Sequence, residues 1–187
     1  MRADGLAARL ELRKFRHVAD AGGGPGTYAA AFCRQNPELK VTLIDLPQTL
    51  PIARELLKRA GLQKRIGFRA ADLYDRRADL GSGYDMTFVS AVFHAYGEQA
   101  NRALCRRLFD ATAPGGRIVV QEGMLDPDRT SPREPALFSV NMLVATRDGR
   151  SYTFAEIADW LTAAGFRKPR RLPRWQLSSV VIADKPK

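Results

Sequence analysis

Cysteine and histidine are scarce in this sequence. The two cysteines, Cys33 and Cys105, have no Cys-x-x-Cys spacing, which excludes a disulfide framework or a thiolate zinc site. They read instead as reduced, buried thiols of a cytoplasmic protein. No apolar run approaches the roughly 18–20 residues that a bilayer-spanning helix needs. The first residues, MRADGLAARLELRKF, are charged throughout rather than signal-like, so neither a membrane nor export is expected. What is present is ordinary for a globular chain, with 45% hydrophobic and 27% charged residues. That excludes disordered and collagen-like chains. A length of 187 residues predicts one domain, 1–187, large enough to bury a core without staples.

Charge is unbalanced. Thirty Lys and Arg face twenty Asp and Glu, a net +10, which raises the question of a polyanionic partner. The basic residues are mostly Arg and are scattered along the whole chain. The one dense run, Arg167, Lys168, Arg170, Arg171 and Arg174, is broken by Pro169 and Pro173 and has one aromatic, Trp175, at its end. It falls short of a basic surface interleaved with aromatics, so nucleic acid is not the expected partner.

Hydrophobic patterning alternates between short runs and longer helical stretches. Strands are expected at 16–21, 40–44, 66–70, 84–89 and 117–121, with helices at 26–35, 49–60 and 98–112 between them. Pro114-Gly115-Gly116 reads as the turn into the fifth strand. Helices at 135–146 and 153–164 follow, the second with Thr153 and Glu156 as a capping box and Gly165 as its stop. Two strand-like pieces near 166–172 and 176–183 are spaced for a hairpin. The alternation argues for right-handed βαβ units, a parallel sheet and helices on both faces.

The residues that carry chemistry fall where those strands end. Asp20-Ala21-Gly22-Gly23-Gly24-Pro25-Gly26 lies between the first strand and first helix, where glycines let a ligand approach the backbone and the free N–H groups of the helix. A glycine loop alone is often only a tight turn. Here Thr27 stands where the dinucleotide fingerprint GxGxxG needs glycine. Asp45 ends the second strand, where a carboxylate can accept ribose hydroxyls, and Asp72 follows the third. An acid-lined crevice at the strand tips suits a cationic ligand with nucleoside hydroxyls and no phosphates.

The order DxGGGxG, DLP, AADLY, VFHAYGEQANRALCRRLF and APGGRIVVQE resembles the S-adenosylmethionine-dependent small-molecule O-methyltransferases, the family of plant caffeate- and flavonoid-type and bacterial polyketide-tailoring enzymes. The likeness runs from about residue 10 to 172. It implies a class I methyltransferase Rossmann-like α/β fold, a seven-stranded, mostly parallel sheet with an antiparallel last strand. It implies S-adenosyl-L-methionine as cofactor, with Asp20, Gly22 and Gly24 in the methionine-side loop. Asp45 and Leu46 would meet the ribose, Asp72 and Leu73 the adenine side, and Ser90 a cofactor-lining position. His94 would be the general base, and Glu122 would hold its other ring nitrogen. The acceptor would be a small aromatic or polyketide hydroxyl. His17, away from the strand tips, reads as structural.

Three departures from the family pattern are visible. The usual His-Asp-Trp is His94-Ala95-Tyr96. Ser151 stands where Glu is frequent. The family's N-terminal dimerisation domain is absent from this chain, so the family's homodimer is not carried over to it. Phe138, Met142 and Leu143, on the apolar helix after the fifth strand, are expected to wall the acceptor pocket and to be exposed as an apolar patch. Two rival readings share the fold. One is a truncated module that binds without catalysing. The other is an RNA or protein methyltransferase, suggested only by charge, and Ser90-Ala91-Val92-Phe93-His94 lacks the Asn/Asp-Pro-Pro-Tyr type of site it would need.

Overall fold

Successive strand residues point to opposite faces of a sheet, and both faces of this one are apolar. Val18, Val41, Leu43, Met86, Phe88 and Val119 face one way, whereas Ala19, Ala21, Ile44, Val89, Ile118 and Val120 face the other. A sheet buried on both faces must be covered by helices on both, and that is the observed architecture.

The structure is a computed structural model that describes residues 2–173 and 179–187. Its strands are β1 (His17–Ala21), β2 (Lys40–Asp45), β3 (Ile66–Ala70), β4 (Tyr84–Ser90), β5 (Thr112–Glu122), β6 (Arg167–Arg171) and β7 (Ser179–Asp184). They form one sheet in the order β3-β2-β1-β4-β5-β7-β6. β1 to β5 pair in parallel, and β7 runs antiparallel to both β5 and β6. The helices are α1 (Arg2–Ala7), α2 (Thr27–Gln35), α3 (Leu50–Arg59), α4 (Glu98–Ala111), α5 (Arg133–Ala145) and α6 (Phe154–Ala164). α1, α2 and α3 supply the core on one face, and α4 and α6 that on the other. The order reverses between β1 and β4, so the switch point lies beside the β1 tip. Ligands of open α/β sheets bind there.

Local chemistry sets the helix ends. Pro51 sits in the first turn of α3, where its missing N–H costs nothing. α6 starts with the expected capping box: Thr153 accepts from the Glu156 N–H and the Glu156 side chain from the Thr153 N–H. Cys33 and Cys105 are buried and free. His17 is structural in its contacts, with Nε2 2.9 Å from Thr42 Oγ1 and its ring edge-on to Tyr84.

One boundary differs. The Pro114-Gly115-Gly116 turn was expected to precede the fifth strand, yet β5 begins at Thr112. Thr112 pairs with Tyr84 and Arg117 with Met86, so 113–116 bulges within a continuing strand. The Thr87–Thr112 hydroxyl contact of 2.9 Å and the Gly115 N–H donated to Pro186 O hold the two sides of the bulge. These partners are distant in sequence, which is why turn chemistry alone misplaces the start. Of the expected strand 176–183, residues 176–178 lie outside the described residues, as do Arg174 and Trp175. The basic residues of β6 lie on an edge strand, where charge blocks pairing with another sheet. Arg170 pairs there with Asp184. Among the described residues no helix is long and apolar enough to cross a membrane.

Candidate active site

The loop after β1 turns through residues with positive φ. Gly22 lies at φ 73°, its N–H donating to Ile44 O, and a Cβ there would sit 2.6 Å from Val92 Cγ2. Glycine at 22 thus lets this loop pack against the segment after β4. Gly24, at φ 52°, has open space where a Cβ would be. Its N–H donates to Asp45 Oδ2 at 2.7 Å, which ties the loop to the β2 tip.

Asp20 lies elsewhere. Strand alternation puts it on the Val18 face, beneath the start of α2, where it is buried and accepts from the Ala29 N–H at 3.1 Å. Burial, with Asp45 nearby adding to it, pushes its carboxyl up to about 7. It supports the loop from behind and does not line the cleft.

The cleft at the strand tips has a cavity volume of about 230 Å³ and is lined by Gly22, Asp45, Leu46, Ala71, Asp72, Leu73, Tyr74, Ala91, Val92, Ala95 and Tyr96. Among the described residues Asp45 and Asp72 are its only charged side chains, in a chain of net charge +10. Asp45 Oδ1 accepts from the Leu46 N–H and Asp72 Oδ1 from the Tyr74 N–H, which orients both carboxylates while leaving lone pairs free. Tyr74 and Tyr96 stack at one end, 3.4 Å between ring centroids. A cationic, hydroxyl-bearing, partly flat ligand fits this lining, and a polyphosphate does not. Of the expected cofactor residues, Gly22, Asp45, Leu46, Asp72 and Leu73 meet at this one surface. Gly24 borders it through Asp45. Ser90, the last residue of β4, instead donates to Gln121 Oε1 at 2.7 Å.

Beyond β4 the chain turns sharply, with Ala91 at φ 55° and a 3₁₀ turn at Phe93–Ala95. Glu122, the last residue of β5, governs this turn. Its Oε1 accepts from the N–H groups of Val92 and Phe93 at 2.8 and 2.7 Å, and its Oε2 lies 3.0 Å from His94 Nδ1. Val92 and Ala95, on either side of His94, line the cleft. The His94 ring is 20% exposed and meets Phe138 of α5 edge-on at 4.8 Å. The expected pair is therefore in contact, with Glu122 buried and His94 partly exposed next to the cleft-lining Val92 and Ala95.

The expected acceptor wall is split. Phe138 (36% exposed) and Leu143 (71%) are open to solvent, with Leu137, Val140 and Val144, whereas Met142 is buried. Pro135 and Met142, two turns apart, form the inner stripe of α5. Ser151 is buried too and fastens α5, donating to Pro135 O while its N–H donates to Ser139 Oγ.

Sequence reasoning missed three residues around the His94 turn. Gly149 packs on it so closely that a Cβ would collide with the His94 carbonyl and the Thr146 hydroxyl. Tyr152 donates its hydroxyl to Tyr96 O at 2.5 Å. Asn101 of α4 is fully buried and hydrogen-bonds both ends of the turn. It had a visible signal, a polar residue in the apolar stripe with Leu104, Cys105, Leu108 and Ala111. Among the described residues no cluster of His, Cys, Asp and Glu is placed to hold a metal ion.

A family model for the O-methyltransferase domain matches residues 2–167. The 3-hydroxy-5-methyl-1-naphthoate 3-O-methyltransferase of Streptomyces sahachiroi is 40% identical over 166 residues, covering 88% of this chain and 47% of that protein. The tetracenomycin polyketide synthesis 8-O-methyl transferase TcmO of Streptomyces glaucescens is 32% identical, covering 97% of this chain and 53% of its own length. Human N-acetylserotonin methyltransferase, solved in complex with SAM, superposes with a TM-score of 0.88 at 27% identity, covering 100% of this chain and 52% of that one. The chain thus spans about half the length of these relatives. With the seven-stranded sheet and its acid-lined cleft, the match places it: this chain belongs to the O-methyltransferase family.

Proposed function

We propose that residues 1–187 act as one catalytic domain that binds S-adenosyl-L-methionine in the cleft and transfers its methyl group to a hydroxyl of a small aromatic or polyketide-like acceptor, with His94 as general base. The observation that carries the reading is the lining of the cleft: two carboxylates and, among the described residues, no basic side chain, in a chain of net charge +10. When bound, the cofactor would supply a methyl group on a positively charged sulfur. Asp45 would accept from the ribose hydroxyls, and Asp72, Leu73 and the Tyr74–Tyr96 wall would enclose the adenine side.

The chain's remaining task is to make the acceptor hydroxyl a nucleophile. A phenol has a pKa of about 10 and attacks poorly until its proton is removed. With Nδ1–H of His94 donated to Glu122, Nε2 is left as the proton acceptor. The edge-on Phe138 fixes the plane of the ring and offers a flat, apolar surface beside it. The relatives' names support an aromatic or polyketide-like acceptor, since one is named for a hydroxynaphthoate and the other for tetracenomycin polyketide synthesis. Buried free thiols fit a reducing, cytoplasmic setting.

Calorimetry tests the cofactor half: S-adenosylhomocysteine should bind and NADH should not, and the reverse result overturns the reading. For the base, His94→Gln should lower methyl transfer to a phenolic acceptor by about 10²–10⁴-fold with cofactor affinity nearly unchanged. Full activity in that variant overturns the base assignment. Saturable RNA binding that persists at physiological salt would favour a nucleic-acid substrate instead.

A further inference from the structure

Helix α4 carries a polar residue where its pattern calls for an apolar one. Asn101 shares the buried stripe with Leu104 and Leu108 and has no exposed surface. A buried amide is costly unless its hydrogen bonds are made. Here its Nδ2 donates to Phe93 O at 2.9 Å and to Tyr96 O at 3.0 Å, and its Oδ1 accepts from the Tyr74 hydroxyl at 2.6 Å.

The positions of those partners matter more than their number. Phe93 is the residue before His94, and Tyr96 is the second residue after it, so one amide holds both ends of the turn that presents the imidazole. Glu122 holds the same turn from the β5 side through Val92 and Phe93. The third partner belongs to the cleft. Tyr74 follows Asp72 and Leu73, and its ring stacks on Tyr96. Burial, foremost, drives the Tyr74 hydroxyl well above its usual pKa, so it stays protonated and donates. An isosteric leucine would fill the space as well but would strand the Tyr74 hydroxyl and leave the Phe93 and Tyr96 carbonyls with one donor each, the Tyr96 N–H and the Tyr152 hydroxyl.

We propose that Asn101 is a positioning residue, which locks the turn bearing His94 and links it to the tyrosine wall of the cleft. This rests on the reading of His94 as the base. It adds a dependence of ring position on the Tyr74–Asn101 contact.

The chain has only two histidines, so imidazole NMR resonances report His94 directly, with His17 as internal control. In Asn101→Ala the His94 ring resonances should move while those of His17 stay in place, and S-adenosylhomocysteine should bind about 5- to 30-fold more weakly. Tyr74→Phe keeps the stacked ring and removes one hydrogen bond. It should shift His94 in the same sense by less. Unchanged His94 resonances in folded Asn101→Ala overturn the proposal, and so does an equal shift of His17, which would mean general loosening. If Asn101→Ala does not fold, Tyr74→Phe decides alone, by the same two criteria. The measurement reads ring position, so an active His94→Gln would overturn the base assignment and leave this result standing.

Discussion

Nδ1 of His94 and Oε2 of Glu122 lie 3.0 Å apart, while the other oxygen of the same carboxylate accepts from the N–H groups of Val92 and Phe93. One carboxylate at the end of β5 both shapes the turn and orients the ring that the turn carries. Its two oxygens have separable roles, and substitutions can separate them.

Glu122→Gln keeps a carbonyl oxygen for the backbone donors but turns an NH₂ group toward Nδ1. The imidazole would then carry its proton on Nε2 and lose its basic atom. Turnover should fall about 10²-fold or more with little loss of stability. Glu122→Ala strands the buried Phe93 N–H and the part-buried Val92 N–H and should cost about 2–4 kcal/mol in denaturant unfolding. Kinetics and unfolding curves for the two variants check this. Equal stability loss in both would merge the roles.

Asp45 orders the Gly24 and Leu46 N–H groups besides facing the cleft. Asp45→Ala should weaken S-adenosylhomocysteine binding by about 1–3 kcal/mol, or about 5- to 150-fold. Wild-type affinity in the variant, by calorimetry, would remove Asp45 from the cofactor site.

Gly149→Ala tests the packing behind the turn. Its methyl group would meet backbone atoms of His94 and Ala95 that cannot rotate away. Overpacking of this kind costs about 1–3 kcal/mol. A displacement of the turn by about 1 Å can cost about 10²-fold in rate. A crystal structure or His94 NMR spectrum showing an unmoved turn would contradict the expectation.

Asp20 makes stability depend on pH. Its folded-state pKa of about 7 lies above the ordinary 3.8. Between those values the unfolded chain releases a proton that the folded chain keeps, so stability falls as pH rises from about 4 to 7. Asp20→Asn removes this contribution, and its Oδ1 can still accept from Ala29. The difference in melting temperature, variant minus wild type, should therefore grow between pH 4.5 and 7.5. A constant difference would mean that Asp20 is ionised in the folded protein.

Much of the site is local and periodic, and was therefore legible in the sequence. Alternating apolar runs and Gly or Pro stops predict the parallel sheet, and in such a sheet Asp45, Asp72, His94 and Glu122 must all fall at strand tips. The glycine loop is legible for the same reason, since φ values of 73° and 52° at Gly22 and Gly24 favour that residue type. The His94–Glu122 pair came from the family likeness, and strand order explains it, because β4 and β5 are neighbours.

What tertiary structure decided depends on which face a residue takes and what reaches it from far along the chain. Asp20 shares the strand-tip pattern with Asp45, yet alternation turns it under α2 and out of the cleft. Met142 lies on the same apolar helix as Phe138, yet Met142 is buried, whereas Phe138 is partly exposed and edge-on to the His94 ring. Asn101 and Gly149 act on the turn through backbone carbonyls, which every residue has, so no side-chain pattern marks their partners. Propensity and periodicity are properties of neighbours in sequence. Hydrogen bonds from α4 to the His94 turn, or contacts between that turn and Gly149, exist only once the chain has folded.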